Sequence, residues 1–127
     1  MGIALAPEIK ALIDGPNYAH LATVWVAREG DRVLTGIRGS SIKGRNSRRD
    51  PRVALTIVDF HDPYSMAQIR GQVVEWRPDP DLAGKDAMSR KYLGTPFPWR
   101  AYDDRILLVI EADRARYTKV PFTHTPG

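Results

Sequence analysis

The chain has 127 residues, 43% hydrophobic and 27% charged, with 19 basic against 15 acidic side chains and a net charge of +4. That length suits one small domain with a real core, so residues 1–127 are read as a single domain. The lack of cysteine excludes disulfides and thiolate metal sites. No apolar run approaches the ~20 residues of a bilayer span, and MGIALAPEIK has neither the basic start nor the apolar stretch of a secretory signal. The expectation is a cytoplasmic protein with no membrane partner.

Pro7 to Asp14 reads as a short helix, with Pro7 in the first turn, a stripe of Ile9, Leu12 and Ile13, and Gly15 as the stop. Ala19 to Ala27 (AHLATVWVA) reads as one largely buried strand. After the polar connection 28–31, Arg32 to Ile37 returns as the other half of a hairpin. Val53 to Val58, a continuous apolar run, reads as a central strand. Tyr64 to Arg77 is a long strand in which Ala67, Ile69, Gly71 and Val73 face one way. Val74 and Trp76 then turn apolar in the polar register, so a bulge is expected near Gly71 to Val74. Asp81 to Leu93 is a helix with an acidic start, a basic end and Gly94 closing it. Its paired acids and bases read as a solvated face. Thr95 to Asp104 is an aromatic, proline-rich loop, and Arg105 to Ala112 (RILLVIEA) is a last core strand before a tail. These segments predict a mainly β, antiparallel small barrel or partly open sheet with short helices. In a barrel this small, an exposed aromatic such as Trp99 has to find a partner subunit or a ligand.

The positive charge is local. Between Arg38 and Arg52 (RGSSIKGRNSRRDPR) stand Arg38, Lys43, Arg45, Arg48, Arg49 and Arg52 against the single acid Asp50. Ser40 or Ser41 is a good N-cap for a helix ending before Pro51, and a helix start offers unpaired N–H groups and a positive dipole end. Lys43 and Asn46, three apart, share a face on which an ammonium and an amide could hold a phosphate. A solvated basic helix is the alternative. Nucleic acid is not expected as a partner, because this window has no aromatic for base stacking. No metal is expected either: His20, His61 and His124 lack ligand spacing, and Asp59, His61 and Asp62 read as loop polars that bond nearby backbone. Common hydrolase, nucleotide-triphosphatase and dinucleotide-binding motifs are absent.

The sequence resembles the split β-barrel oxidoreductases, the pyridoxamine-5'-phosphate-oxidase-like flavin and deazaflavin proteins, and most of all their actinobacterial branch that uses coenzyme F420. The resemblance rests on His20-Leu21-Ala22-Thr23, Val24-Trp25-Val26, Ser41, Lys43, Arg45-Asn46, Arg48 to Leu55, Arg70-Gly71 and Lys91-Tyr92-Leu93-Gly94. It implies an FMN-binding-like, six-stranded split barrel with short peripheral helices, forming a homodimer with two cofactor sites at the subunit interface. It also implies a cofactor phosphate held by Ser41, Lys43 and Asn46, with Arg45 nearby, and a ring system lying along Gly36, Ile37 and Arg38. The cofactor so implied is F420, with FMN as the alternative, and the activity is hydride transfer to a small organic acceptor such as a quinone or conjugated carbonyl. A non-catalytic cofactor carrier on the same fold is the rival. Arg70 is a candidate for pocket lining or for a surface ion pair, and no residue is singled out as an acid or base.

One departure from the family pattern stands out. Its members place an Asp-Gly turn and a returning strand between HLAT and VWV, whereas Thr23 here is followed directly by Val24-Trp25. Either one strand is lost or drastically shortened, or the numbering closes over a missing loop.

Overall fold

A computed structural model describes residues 2–17, 19, 20, 23–100 and 104–121, with 19, 20 and 23 described by backbone alone. Leu21, Ala22, Tyr102 and the tail that includes His124 lie outside the described residues. Helix α1 (Pro7–Asp14) forms as its sequence predicts and buries Ile9, Leu12 and Ile13. The apolar run after it does not form one strand. Ala19–His20 (β1) and Thr23–Val24 (β2) pair antiparallel with each other, and Ala27–Glu29 (β3) forms a separate segment. The expected strand Ala19 to Ala27 is therefore corrected to a two-residue hairpin followed by a third piece. A mostly apolar run without Gly, Pro, Asn or Asp carries no turn signal that marks a reversal, so only the pairing reveals it. The sequence departure at Thr23 to Trp25 falls at this hairpin, whose strands are two residues each.

Strand β4 (Arg32–Arg38) returns beside β3. Helix α2 (Ile42–Arg49) follows, capped by Ser41, and leads into β5 (Arg52–Val58) and β6 (Ser65–Pro78). Helix α3 (Ala83–Leu93) and β7 (Arg105–Lys119) complete the chain. All pairings are antiparallel, in the order β2-β1-β5-β6-β7-β4-β3. The two edge segments β2 and β3 are joined through Trp25 and Val26 alone, so the opening between the edges is at most about 11 Å of chain. The sheet thus curls into a split barrel whose hydrogen-bonded ladder is not closed. With β2 and β3 taken as halves of one bent strand, the seven segments are six strands.

Side chains satisfy the backbone that crosses the split. Tyr92 Oη accepts from Val26 N at 3.1 Å and donates to Asn17 O at 2.8 Å. Lys91 Nζ donates to Val26 O and, at 2.7 Å, to Ile13 O, while Thr35 Oγ1 donates to Trp25 O at 2.9 Å. Without these partners, buried peptide groups would lack both a ladder and water.

Inside the barrel, Leu55, Ile57, Ile69, Val73, Leu108 and Ile110 pack against Ile9 and Ile13 of α1. Outside it, Met88 of α3 covers Leu34, Leu107 and Val109. Strand β7 is apolar on both faces over Ile106–Ile110 because both faces are covered. It also runs to Lys119, beyond the expected end at Ala112. Its second half alternates, with Ala115 and Tyr117 packed inward between exposed Arg114 and Arg116. The expected irregularity is a double one: the β6–β7 register shifts at Arg70/Gly71, where Asp113 is the extra residue, and at Val73/Glu75, where Val74 is. A Cβ on Gly71 would lie 2.0 Å from Glu111 O, so only glycine admits that approach.

Helix α3 starts two residues later than the Asp81 expected. Leu82 is in a left-handed conformation (φ 62°), and the buried Asp79 carboxylate accepts from Gly84 N at 2.9 Å and Lys85 N at 3.0 Å. Asp79 therefore does the capping, and the intervening residues form the turn. Among the described residues no helix is long and apolar enough to cross a membrane.

Candidate functional site

A cavity of about 500 Å³ opens where β4, α2, α3 and the aromatic loop converge. Gly36, Ile37 and Arg38 form its strand edge, Lys43 stands at the start of α2, and Lys85 reaches in from the first turns of α3. Trp25 and Phe97 supply an aromatic wall, in T-shaped contact at 5.9 Å. Trp25 also stacks on Tyr92 at 5.1 Å, so its ring orientation is held from behind. Trp99 extends the wall at 5.8 Å from Phe97 and is 73% exposed. The loop that carries these rings is tied to α3 through Asp86, which accepts from Phe97 N at 2.9 Å and from Arg100 Nη1 at 2.8 Å. The Arg100 hydrogen bond holds the Asp86 carboxyl below its ordinary range.

Among the described residues the lining holds four basic side chains, Arg38, Lys43, Lys85 and Arg105, and no carboxylate. Neither Lys43 nor Lys85 makes an ion pair or a side-chain hydrogen bond among the described residues. Burial holds the Lys85 ammonium below its ordinary pKa. Arg105 and Lys43 push in the same direction, and Asp79 opposes them. Lys43 and Lys85 repel each other across a partly desolvated cleft, a repulsion that an anion between them would offset.

The residues expected to hold a cofactor are only partly gathered here. Gly36, Ile37, Arg38 and Lys43 line the cavity. Asn46 lies on the other side of Lys43, in an adjoining cavity of about 370 Å³ shared with Ser47, Asp50, Arg52 and Val53. Lys43 is the wall common to both. Arg45 is exposed and lines neither. Ser41 is committed to its own helix: its hydroxyl donates to Arg38 O at 2.6 Å and accepts from Gly44 N at 3.1 Å. The free N–H groups expected in the Ser40/Ser41 turn are also taken. Gly39 N donates to Asp104 O, Ser40 N to the Asp104 carboxylate, and Ser41 N to Arg38 O. The hydrogen bonds from Ser40, with help from Arg48 and Arg38, hold Asp104 below the usual carboxylate range. An internal anion therefore fills the turn. Asp59 accepts from His61 N and Asp62 N, the local loop bonding expected of it. Sequence reasoning missed Trp25, Lys85, Phe97 and Arg105 as lining residues. Only the unusual loop TPFPWRAYDD pointed toward any of them, by way of its exposed aromatics.

No family model and no curated protein matches the chain. Solved structures do. One described as an F420 reductase is 24% identical with a TM-score of 0.79, covering 88% of this chain and 98% of its own. The conserved hypothetical protein Rv2991 from Mycobacterium tuberculosis is 19% identical with a TM-score of 0.73, covering 99% of this chain and 94% of its own. A candidate pyridoxamine 5'-phosphate oxidase from Listeria innocua is 15% identical with a TM-score of 0.62, covering 84% and 92%. At these identities the likeness is one of fold: this chain has the split-barrel architecture of those proteins.

Proposed function

We propose that the protein is an oxidoreductase that binds a phosphorylated deazaflavin, coenzyme F420, with FMN as the alternative ligand. The observation that carries this reading is a cavity whose described lining has four basic side chains, no acid, and an aromatic wall beside a glycine strand edge. That donor set fits a planar heteroaromatic ring joined to an anionic tail, and about 500 Å³ is an ordinary size for such a site. The fold it shares with a structure described as an F420 reductase supports the same choice.

When bound, the cofactor supplies hydride transfer to an acceptor, which we propose is a small quinone or conjugated carbonyl. The protein contributes position and charge. Gly36 leaves room for the Lys85 stem to cross the strand, and Trp25 and Phe97 keep water from one side of the ring. Lys43 holds the phosphate, with Asn46 reaching it from the adjoining cavity and Arg38 and Arg45 adding charge on the solvent side. Ser41 acts through the helix start that it caps. We also propose a cytoplasmic homodimer in which the partner covers the exposed Trp99. An interface of that kind buries roughly 2,000 Å² or more.

Fluorescence titration with F420 and with FMN tests the binding, and the expected result is tighter binding of F420. Protein mixed with reduced F420 and a quinone should then consume the cofactor's absorbance, which a carrier would not do. If neither ligand binds at millimolar concentration, the reading fails. A sedimentation experiment showing a monomer at micromolar protein removes the dimer.

A further inference from the structure

Helix α3 is built to bring one lysine into the cavity. Gly84 lies so close to β7 that a Cβ there would come within 2.6 Å of Leu107 Cδ1. The preceding turn is locked by Asp79, whose carboxylate accepts from the backbone of Gly84 and Lys85 themselves. The Lys85 side chain then runs over Gly36, where an added Cβ would lie 3.1 Å from Lys85 Cδ and 3.8 Å from Nζ. Its ammonium ends 4.8 Å from the Trp25 ring centroid and 5.0 Å from that of Phe97. It has no hydrogen-bond or ion-pair partner among the described residues. A half-buried ammonium that no described atom accepts a hydrogen bond from is stabilised by the two ring faces, and an acceptor in the cavity would satisfy its donors.

We infer that Lys85, held over the Trp25 and Phe97 rings, is the ring-facing cation of the cavity, donating to the carbonyl and nitrogen edge of a heteroaromatic ligand beside them, while Lys43 faces the phosphate. The inference rests on the proposed cofactor reading and divides labour between two lysines that line the same cavity. The division follows from their surroundings. Lys85 is bracketed by aromatic rings and the Gly36 backbone. Lys43 sits on the basic helix and borders the second, polar cavity. Lys85 so placed is a specificity-determining residue for the ring, whatever the tail.

The test is a binding cycle using each nucleotide and its phosphate-free parent: F420 with its deazariboflavin parent, and FMN with riboflavin. Lys85→Met should weaken a phosphate-free ligand and its phosphorylated form by the same factor, about tenfold. Lys43→Ala should weaken only the phosphorylated forms. Lys85→Arg should recover part of the loss. Gly36→Ala, which displaces the lysine stem but keeps the charge, should reproduce the loss. The melting temperature of the ligand-free protein adds a readout that a structural role would move the other way: removing an unpaired, half-buried charge should leave it unchanged or raise it. If Lys85→Met weakens only the phosphorylated ligands, or none, the inference is overturned while the cofactor reading stands. A lower melting temperature with unchanged binding per folded molecule also overturns it. If the wild-type protein binds none of the four ligands, both fall together.

Discussion

Replacing Lys43 by alanine is the sharpest perturbation of the proposed phosphate grip. Lys43 is the wall between the two cavities, is half-buried, and makes no ion pair among the described residues. A charge-assisted hydrogen bond to a phosphate contributes about 1.5–3 kcal/mol. At 1.4 kcal/mol per decade that is about a ten- to hundredfold loss of affinity. The ligand-free protein should not suffer, because Lys43 repels Lys85 across the cavity and its removal relieves that repulsion. Two of the three tryptophans, Trp25 and Trp99, line the cavity, so intrinsic fluorescence reports its occupancy. The loss should be greatest at low salt, since the screening length shortens from about 30 Å at 0.01 M to about 10 Å at 0.1 M. Arg48→Ala is the control. The Arg48 guanidinium is exposed and lies 5.4 Å over the Trp76 ring, so its removal should cost binding less. Equal losses from the two substitutions would mean a diffuse basic patch in place of a grip. Unfolding by Lys43→Ala, with unchanged binding per folded molecule, would mean that the lysine is structural.

Gly44→Ala, which places a Cβ 2.3 Å from Gly39 O and 2.8 Å from Arg38 O, should lower unfolding stability in urea by about 3 kcal/mol. A loss under 1 kcal/mol would show that the α2–β4 approach is looser than described. Tyr92→Phe strips the fully buried Val26 of the partner for its N–H and should cost about 1–3 kcal/mol, with faster hydrogen exchange at Val26. Unchanged exchange there would refute the role given to the hydroxyl. Burial holds Lys91 down to about 8 from 10.5, with Asp14 opposing. Between those values the unfolded chain keeps a proton that the folded one releases, so stability should rise with pH across that window, with the penalty fully present below it. Lys85, lowered in the same direction, adds to the slope. Urea melts at pH 7.5 and 9.5 check this, and the slope should flatten in Lys91→Met; the same slope in that variant would assign it elsewhere.

The sequence by itself determined the elements whose signals are local. Helix α1 runs from Pro7 to Asp14 as read, because the proline, the apolar stripe and Gly15 act within one or two turns. A serine cap at Ser40 or Ser41, the end of α2 before Pro51 and the bulge that gives β6 its change of face were legible for the same reason, and the structure puts the cap at Ser41. The tertiary structure decided everything that depends on what lies across the sheet. The run Ala19 to Ala27 is mostly apolar, with only His20 and Thr23 polar, and its pairing with β5 and β4 divides it into three segments. Asp104 looks like an ordinary loop acid, yet β7 pairing with β4 brings its carboxylate to Ser40 N, sixty-four residues away in sequence. Lys85 belongs to an acid-and-base helix that reads as solvated. Gly84 and Asp79 set that helix close enough to β7 to carry the ammonium between Trp25 and Phe97. Whether a lysine is a solvated surface charge or an unpaired cation in a cleft depends on the distant segments packed around it. No local pattern in the chain encodes that burial.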